Sequence, residues 1–214
     1  VQVISAMTRL GVLASHRGTN FQAIIDACRD GQLDAQPVVA ISNNSTALAL
    51  ERARAAGIPT VHLSSVTHPA DNERDAAMSQ VLREHNVDLL VLAGYMKKLG
   101  PQTLSEFAGR IINIHPALLP RHGGKGMYGM NVHRAVIESG DHETGITVHW
   151  VEDQYDSGPV IAQRKIPVLP DDTPESLSRR VLAEEHDFLI ETLGRILASD
   201  PALKNGAERK ERQQ

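Results

Sequence analysis

The sequence has a single cysteine, no long apolar run and no excess of positive charge, and each of these absences excludes a class of protein. Cys28 alone cannot form an intrachain disulfide or a cysteine-rich zinc site, so the chain suits a reducing compartment and we expect it in the cytoplasm. The longest apolar runs, such as Leu89 to Ala93, are far too short to span a bilayer, and no secretory signal precedes them.

The charge balance also excludes classes of binding partner. A formal net charge of −4 leaves no basic stripe that could neutralise a phosphate backbone or a membrane surface. We therefore expect small-molecule ligands, with neither nucleic acid nor membrane as a partner. Monomer and homodimer are both compatible with the sequence.

Length and composition predict one domain. The 214 residues are 41% hydrophobic, which is enough for one sizeable core. We assign this single domain to residues 9–200. Residues 1–8 are interpreted as an N-terminal extension, and residues 201–214, which are charged and poor in apolar side chains, as a frayed tail.

Strand and helix patterns alternate through the first half of the chain. Leu10 to Ala14 is a short apolar run, and the helical spacing of Phe21, Ile24 and Ile25 follows it. The alternation repeats, with Ser45 predicted to cap a helix that continues through Ala56. Such repetition predicts an α/β fold with a doubly wound, mostly parallel, Rossmann-like sheet.

The last third of the chain has a different pattern. Residues 145–151 and 159–168 read as strands whose connection is too short for a helical crossover, so they should pair antiparallel. Thr173 is predicted to cap a long amphipathic helix over residues 174–198. The segment before residue 131 is rich in glycine and proline and is predicted to be a surface loop.

The first strand-to-helix turn has the features of a phosphate site. Backbone N–H groups at the start of a helix point toward an anion, and Gly18 lets the backbone approach closely. Thr19 and Asn20 add side-chain donors, and Arg17 adds charge. The turn lacks the Walker lysine and the three-glycine dinucleotide pattern. A capped turn without a ligand is the alternative interpretation.

Asn113, His115 and Asp156 form the candidate catalytic set. Asn113 and His115 follow a buried strand, and Asp156 lies in the tight loop before Gly158. An amide and an imidazole can stabilise an oxyanion, and a carboxylate can orient the imidazole. Contact with Asp156 would raise the pKa of His115. The alternative is that these side chains only satisfy loop backbone groups.

Other polar residues are weaker candidates for the functional site. Thr147 and His149 lie on one face of a predicted strand, where they could hold the carboxylate or a water beside it. Glu185 lies on the long helix and either binds ligand hydroxyls or faces solvent. No closely spaced histidine pair occurs, so we expect no metal site. Cys28 is interpreted as a packing residue.

Three motifs together resemble the phosphoribosylglycinamide formyltransferase family. They are the turn SHRGTN at 15–20, the segment LAGYM at 92–96 and the run NIHPALLP at 113–120. The resemblance implies transfer of a formyl group from 10-formyltetrahydrofolate, a co-substrate, to the amine of glycinamide ribonucleotide in purine biosynthesis, without a metal. The amine would attack the formyl carbon directly, without a covalent enzyme intermediate.

The resemblance also implies roles for individual residues. Asn113 and His115 would stabilise the tetrahedral oxyanion, and Asp156 would charge the histidine and help to move a proton. Glycinamide ribonucleotide would contact Arg17, Gly18, Thr19, Asn20 and Glu185. The folate would contact Tyr95, Met96, Lys97, Leu99, Val151, Glu152, Asp153 and Tyr155.

Three other functions are compatible with parts of this pattern. Formyltetrahydrofolate deformylase and methionyl-tRNA formyltransferase share the Asn, His and Asp set, but both have a further domain that we do not expect here. The phosphate turn favours a small phosphorylated acceptor over water or tRNA. A non-catalytic module that binds folate or phosphate is the third alternative.

Overall fold

A computed structural model describes residues 7–199 of the chain. The predicted tail, 201–214, and residues 1–6 of the predicted extension lie outside the described residues. Thr8, which we placed in the extension, is instead the first residue of a strand and is fully buried.

The described chain forms seven strands and six helices, which alternate as far as β6; β7 then follows β6 directly. The strands are β1 (Thr8–Leu13), β2 (Ala35–Ser42), β3 (Thr60–His62), β4 (Leu89–Leu92), β5 (Ile111–His115), β6 (Glu143–Trp150) and β7 (Val160–Pro167). The helices are α1 (Thr19–Arg29), α2 (Leu48–Ala55), α3 (Asp71–Glu84), α4 (Pro101–Glu106), α5 (Met130–Glu138) and α6 (Pro174–Ser199).

All seven strands belong to one mixed sheet with the order β3-β2-β1-β4-β5-β6-β7. The first five strands pair in parallel, whereas β6 pairs antiparallel with both β5 and β7. This arrangement confirms the predicted mostly parallel α/β sheet with an antiparallel C-terminal strand pair.

Helices cover both faces of the sheet and create two apolar cores. Strand β4 shows why, because Leu89 and Val91 enter one core while Leu90 and Leu92 enter the other. Helices α1, α2, α5 and α6 contribute to the first core, and α3 contributes to the second. A central strand buried on both faces needs such a continuous apolar run. No helix within residues 7–199 is long and apolar enough to cross a membrane.

The sequence pattern predicted the start of one helix correctly and the start of another wrongly. Helix α6 begins as predicted, because the Ser176 N–H donates to Thr173 Oγ1 and the Thr173 N–H donates to Ser176 Oγ, at 3.2 and 2.9 Å. The predicted cap at Ser45 is wrong, because α2 begins at Leu48 and no side chain caps it. Helices α4 and α5 were not predicted.

The strand order reverses beside β1, which pairs with β2 on one side and β4 on the other. Ligands of open α/β sheets bind outside the carboxyl ends of the strands at such a point. Ser15 joins the segments that leave these strands. Its hydroxyl accepts a hydrogen bond from the Met96 N–H (2.8 Å) and donates one to Asn43 Oδ1 (2.5 Å).

Candidate active site

The end of β5 places two of the candidate catalytic side chains. Asn113 and His115 are two residues apart on a strand, so both project from the same face of the sheet. Asn113 pairs in register with His149 on β6, and His115 pairs with Thr147. The antiparallel register therefore brings the amide beside the His149 ring.

The loop between β6 and β7 places the carboxylate. Asp156 itself adopts a left-handed backbone conformation, with φ at 53°. Gly158 is needed for space, since a Cβ atom there would lie 1.8 Å from the Trp150 carbonyl oxygen. The tight loop that results turns the Asp156 carboxylate toward the end of β5.

These elements bring the predicted set together. Asp156 Oδ2 lies 3.7 Å from His115 Nδ1, and Asp156 Oδ1 lies 3.6 Å from His149 Nε2. The Asn113 amide nitrogen lies 3.1 Å from His149 Nε2 and 3.4 Å from Asp156 Oδ1. His149 Nδ1 lies 2.8 Å from the Trp150 carbonyl, so the ring donates to it. Nε2 of the neutral ring can then accept from Asn113.

The ionisation of His115 differs from our expectation. Its side chain is only 4% exposed, and this burial lowers the pKa of His115 below its ordinary value. The negative charge of Asp156 and a hydrogen bond to the His122 carbonyl oppose this effect but do not overcome it. Asp156 thus raises the pKa of His115 as predicted, but burial outweighs this contribution, so the expected net increase does not occur.

Asp156 itself is stabilised as a carboxylate. Burial alone would raise its pKa, but the nearby His149 and His115 rings and the Gly124 N–H lower the pKa below its ordinary value. The Gly124 N–H lies 2.9 Å from Asp156 Oδ2. The site therefore combines an ionised carboxylate with a buried imidazole that favours the neutral form.

A cavity of about 590 Å³ contains this group. Its walls include Asn113, His115, His149 and Asp156. The side chains that we assigned to the folate all line it, namely Tyr95, Met96, Lys97, Leu99, Val151, Glu152, Asp153 and Tyr155. The Lys98 ammonium lies 3.1 Å from an Asp153 oxygen and links the two segments that form this part of the cavity wall.

Asn20 and Glu185 form another part of the cavity wall. The Asn20 amide nitrogen donates to Glu185 Oε2 at 2.8 Å, and Asn20 Oδ1 has no protein partner. Burial raises the pKa of Glu185 to about 7. A carboxyl group and an amide oxygen here can accept hydrogen bonds from ligand hydroxyl groups. Glu185 therefore does not face solvent, which was one of its two predicted environments.

The first turn lies beside this part of the wall. Gly18 has a φ of 65°, and a Cβ atom there would lie 2.6 Å from that of Ala49. Helix α1 begins directly after it, at Thr19. Asn20 lies in the cavity wall, whereas Arg17, Gly18 and Thr19 precede it in the turn without lining the cavity.

The two supporting residues have different environments. His149 contacts Asp156, as expected for a residue that holds the carboxylate. Thr147 does not act this way, because its hydroxyl donates to the Ala117 carbonyl (2.6 Å) and accepts from the Leu119 N–H (3.1 Å). It also accepts from the Gln163 side-chain amide at 3.0 Å, so its partners are Gln163 and the backbone of the segment that leaves β5.

Sequence reasoning missed several parts of the site. The segment after β5, interpreted as a surface loop, contributes residues 124–129 to the cavity wall and ends at α5. His133 of α5 also lines the cavity, and burial lowers its pKa to about 4. The His122 carbonyl accepts from His115 Nε2 at 2.8 Å. A backbone contact has no residue-type signature, so no sequence signal could have identified it.

Within residues 7–199, no three His, Cys, Asp or Glu side chains come together in an arrangement that could hold a metal ion.

Comparisons with known proteins agree with this architecture. Residues 8–193 match the family model described as formyl transferase. A chloroplastic phosphoribosylglycinamide formyltransferase of Arabidopsis thaliana is 42% identical over 189 residues, which are 88% of this chain and 65% of that protein. The enzyme of the same name from Haemophilus influenzae is 41% identical over 85% of this chain and 84% of its own length.

A solved structure shows the same fold. Glycinamide ribonucleotide transformylase 1 of Symbiobacterium toebii superposes with a TM-score of 0.84 at 42% identity, covering 90% of this chain and 88% of that one. The chain spans slightly less than two thirds of the plant relatives that it matches. The family model nevertheless covers most of the chain, and the resemblance seen in the motifs is confirmed. This chain belongs to the formyl transferase family.

Proposed function

We propose that this protein transfers the formyl group of 10-formyltetrahydrofolate to the amino group of glycinamide ribonucleotide in purine biosynthesis. One observation carries the proposal. A single cavity is lined by Asn113, His115 and Asp156 together with the Asn20–Glu185 pair and with Tyr95 and its neighbours. Two substrates, one bound beside that pair and one beside Tyr95, would meet at the three candidate catalytic side chains. The names of the curated relatives support the choice of substrates.

The acceptor would bind beside the Asn20–Glu185 pair. Glu185 and Asn20 would accept hydrogen bonds from the ribose hydroxyl groups. The backbone N–H groups near Gly18, at the start of α1, would bind the phosphate, with the Thr19 hydroxyl and Arg17 beside it. Because Arg17, Gly18 and Thr19 lie outside the cavity wall, the phosphate would extend beyond the cavity along the turn.

The folate would occupy the part of the cavity lined by Tyr95 and its neighbours. Its pterin would pack beside Tyr95, Met96 and Leu99, with Lys97 at the same strand end. The loop that carries Val151, Glu152, Asp153 and Tyr155 would cover it. Burial raises the pKa of Tyr95 to about 12, so its hydroxyl stays neutral and can donate a hydrogen bond.

The reaction would proceed by direct attack of the acceptor amine on the formyl carbon. A new C–N bond forms, and the carbonyl oxygen becomes an oxyanion. The Asn113 amide lines the cavity and donates to Asp156 Oδ1 at 3.4 Å; with substrates bound it would donate to this oxyanion instead. Removing one such donor typically costs two to three decades in rate. The bond between the formyl carbon and folate N10 then breaks.

His115 would transfer the proton that must pass from the attacking amine to folate N10. Because the neutral ring is favoured and Nε2 donates to the His122 carbonyl, Nδ1 has a free lone pair facing Asp156. That nitrogen can take the proton from the attacking amine and return it to N10 as the folate leaves. Asp156 would stabilise the imidazolium in between.

The test is an assay of formyl transfer with free formate followed in parallel, using wild type and Asp156→Asn. We expect transfer that depends on the acceptor and a kcat at least about 100-fold lower in the variant. Formate release without the acceptor would assign the chain to the deformylases. Turnover that survives in Asp156→Asn would overturn the catalytic assignment of this site.

We also propose that the enzyme works in the cytoplasm. The support is its single cysteine, a half-buried thiol that needs no oxidising compartment. Fractionation of cells that express the tagged chain tests this location. Light scattering would distinguish the predicted monomer from the homodimer.

A further inference from the structure

The segment of residues 121–124, which we call the strap, contacts both ionisable groups of the candidate catalytic set through its backbone. The His122 carbonyl accepts from His115 Nε2 at 2.8 Å, and the Gly124 N–H donates to Asp156 Oδ2 at 2.9 Å. One short segment therefore touches the imidazole and the carboxylate from the same side.

Two side chains of the strap attach it to a distant residue. His122 Nε2 lies 2.7 Å from Asp141 Oδ2, and the Arg121 guanidinium contacts the other oxygen of the same carboxylate. Asp141 follows α5, just after Gly140, so the attachment point belongs to a different part of the fold. The side chains of His122 and Asp141 are only 14% and 9% exposed.

The backbone of His122 shows that this attachment matters locally. Its φ is 53°, in the left-handed region that a residue with a Cβ atom seldom adopts. In this conformation the carbonyl is directed at His115 while the side chain is directed at Asp141. The contact with Asp141 helps to hold a conformation that the chain would otherwise leave readily.

The carbonyl contact determines which nitrogen of His115 carries the proton. A carbonyl oxygen only accepts hydrogen bonds, so Nε2 must be the protonated nitrogen. In the neutral ring Nδ1 then has the lone pair, and it faces Asp156 at 3.7 Å. Without the carbonyl, the proton could sit on either nitrogen and the ring could rotate.

We propose that His122 and Asp141 are positioning residues, which fix the ring orientation and the tautomer of His115 through the His122 carbonyl. This role rests on the proposed formyl transfer. This positioning role differs from the role of an ordinary surface ion pair. Arg83 and Glu106, for example, form an ion pair whose side chains are 55% and 25% exposed, and neither residue lines the cavity.

The experiment compares Asp141→Ala and His122→Phe with His122→Gln, whose side-chain amide can still donate to Asp141. Glu106→Ala is the matched control, because it removes an ion pair outside the cavity. Steady-state kinetics would give kcat and both KM values. The ¹⁵N spectrum of histidine-labelled protein would report the tautomer of His115.

We expect kcat to fall about 10- to 100-fold in Asp141→Ala and His122→Phe, because a small misplacement of a reacting group has effects of this size. Both KM values should stay within about threefold, since neither residue lines the cavity. The His115 signal should change from a protonated Nε2 to a mixture of tautomers. His122→Gln and Glu106→Ala should resemble wild type in both measurements.

The proposal would be overturned if Asp141→Ala kept the wild-type kcat and an unchanged His115 signal. It would also be overturned if kcat and the melting temperature fell together while the tautomer signal stayed the same, because the residue would then only support folding. If wild type itself transferred no formyl group, the proposed function would fail, yet the ¹⁵N signal would still test the positioning of His115.

Discussion

Burial shifts the pKa of three ionisable side chains in the cavity wall, His115, His133 and Glu185, each of which is less than 9% exposed. Burial favours the uncharged form of each one, so it lowers the pKa of the two histidines and raises that of the glutamate. At Asp156, by contrast, hydrogen bonds and nearby rings outweigh burial and lower the pKa. Asp156 is therefore a stabilised negative charge in the site.

Replacing Glu185 with Gln should stabilise the folded protein near neutral pH. The pKa of Glu185 is raised from 4.5 to about 7 by folding, so the unfolded state ionises first and stability falls as the pH rises through this window. Each pH unit corresponds to 1.36 kcal/mol, which gives an expected gain of about 3 kcal/mol at pH 8 in the variant. Urea unfolding at several pH values measures it.

The gain should vanish below about pH 4, because Glu185 is then neutral in both states. A pH-independent difference would contradict this account. The same variant should bind the acceptor less well, since a hydrogen-bond acceptor that ionises near neutral pH is lost. Loss of about 1.5 to 3 kcal/mol predicts a roughly 10- to 150-fold higher KM for glycinamide ribonucleotide, with the KM for the folate unchanged.

At the level of single residues, the sequence predicted which side chains converge but not their ionisation. Asn113, His115 and Asp156 could be found because strand ends and short hairpin loops are visible in the pattern. The pKa of His115 could not, because its sign depends on how deeply the ring is buried. Thr147 was misjudged for a similar reason, since its backbone partners leave no trace in the residue pattern.

At the level of elements, the β6–β7 hairpin depends on one close approach. Substitution of Gly158 by Ala would place a Cβ atom 1.8 Å from the Trp150 carbonyl oxygen, so the loop that carries Asp156 must move. We expect a loss of about 1 to 3 kcal/mol in stability and a fall in kcat of about 100-fold. Thermal unfolding and the transfer assay measure the two effects.

Gly194→Ala is the matched control for this substitution. Gly194 lies inside α6, and an added Cβ atom would meet Leu33 at an ordinary contact distance of 3.8 Å. Because alanine favours helix more than glycine, this variant should gain up to about 1 kcal/mol and keep its activity. Equal stability changes in the two variants would show that the close approach at Gly158 is unimportant.

The start of α6 offers a second prediction at this level. Thr173→Ala removes the side-chain oxygen that accepts from the Ser176 N–H. The expected cost is about 1 kcal/mol of unfolding free energy, and Thr173→Ser should restore most of it because the oxygen is kept. Chemical denaturation of both variants checks this. A Thr173→Ser variant as unstable as Thr173→Ala would point to the methyl group instead.

The elements that were predicted and those that were missed differ in length and composition. Long apolar or periodic segments such as β4 and α6 were recognised because the residue patterns along their length and at their ends are both typical of the element. Helix α4 has only six residues, too few for a periodic pattern. Helix α5 follows a glycine-rich segment, which concealed its start, although Val132 and Val136 are fully buried on one face.

At the level of the whole molecule, the single sheet lies between the two cores and contributes side chains to both. Every residue of β4 contributes to one core or the other, so neither can be lost without exposing the shared strand. We predict one cooperative thermal transition over residues 7–199, with equal calorimetric and van't Hoff enthalpies. Two resolved transitions would contradict the single-domain prediction.

The hydroxyl of Ser15 has a consequence for the rate of the proposed reaction. It connects the turn after β1 to the Met96 backbone after β4, and so connects the wall of one substrate site to the wall of the other. The distance between the attacking nitrogen and the formyl carbon would then depend on the hydrogen bond between Ser15 and the Met96 backbone. Two bound molecules held at a fixed separation react as if each were present at a very high effective concentration, of about 10⁵ M or more in favourable cases.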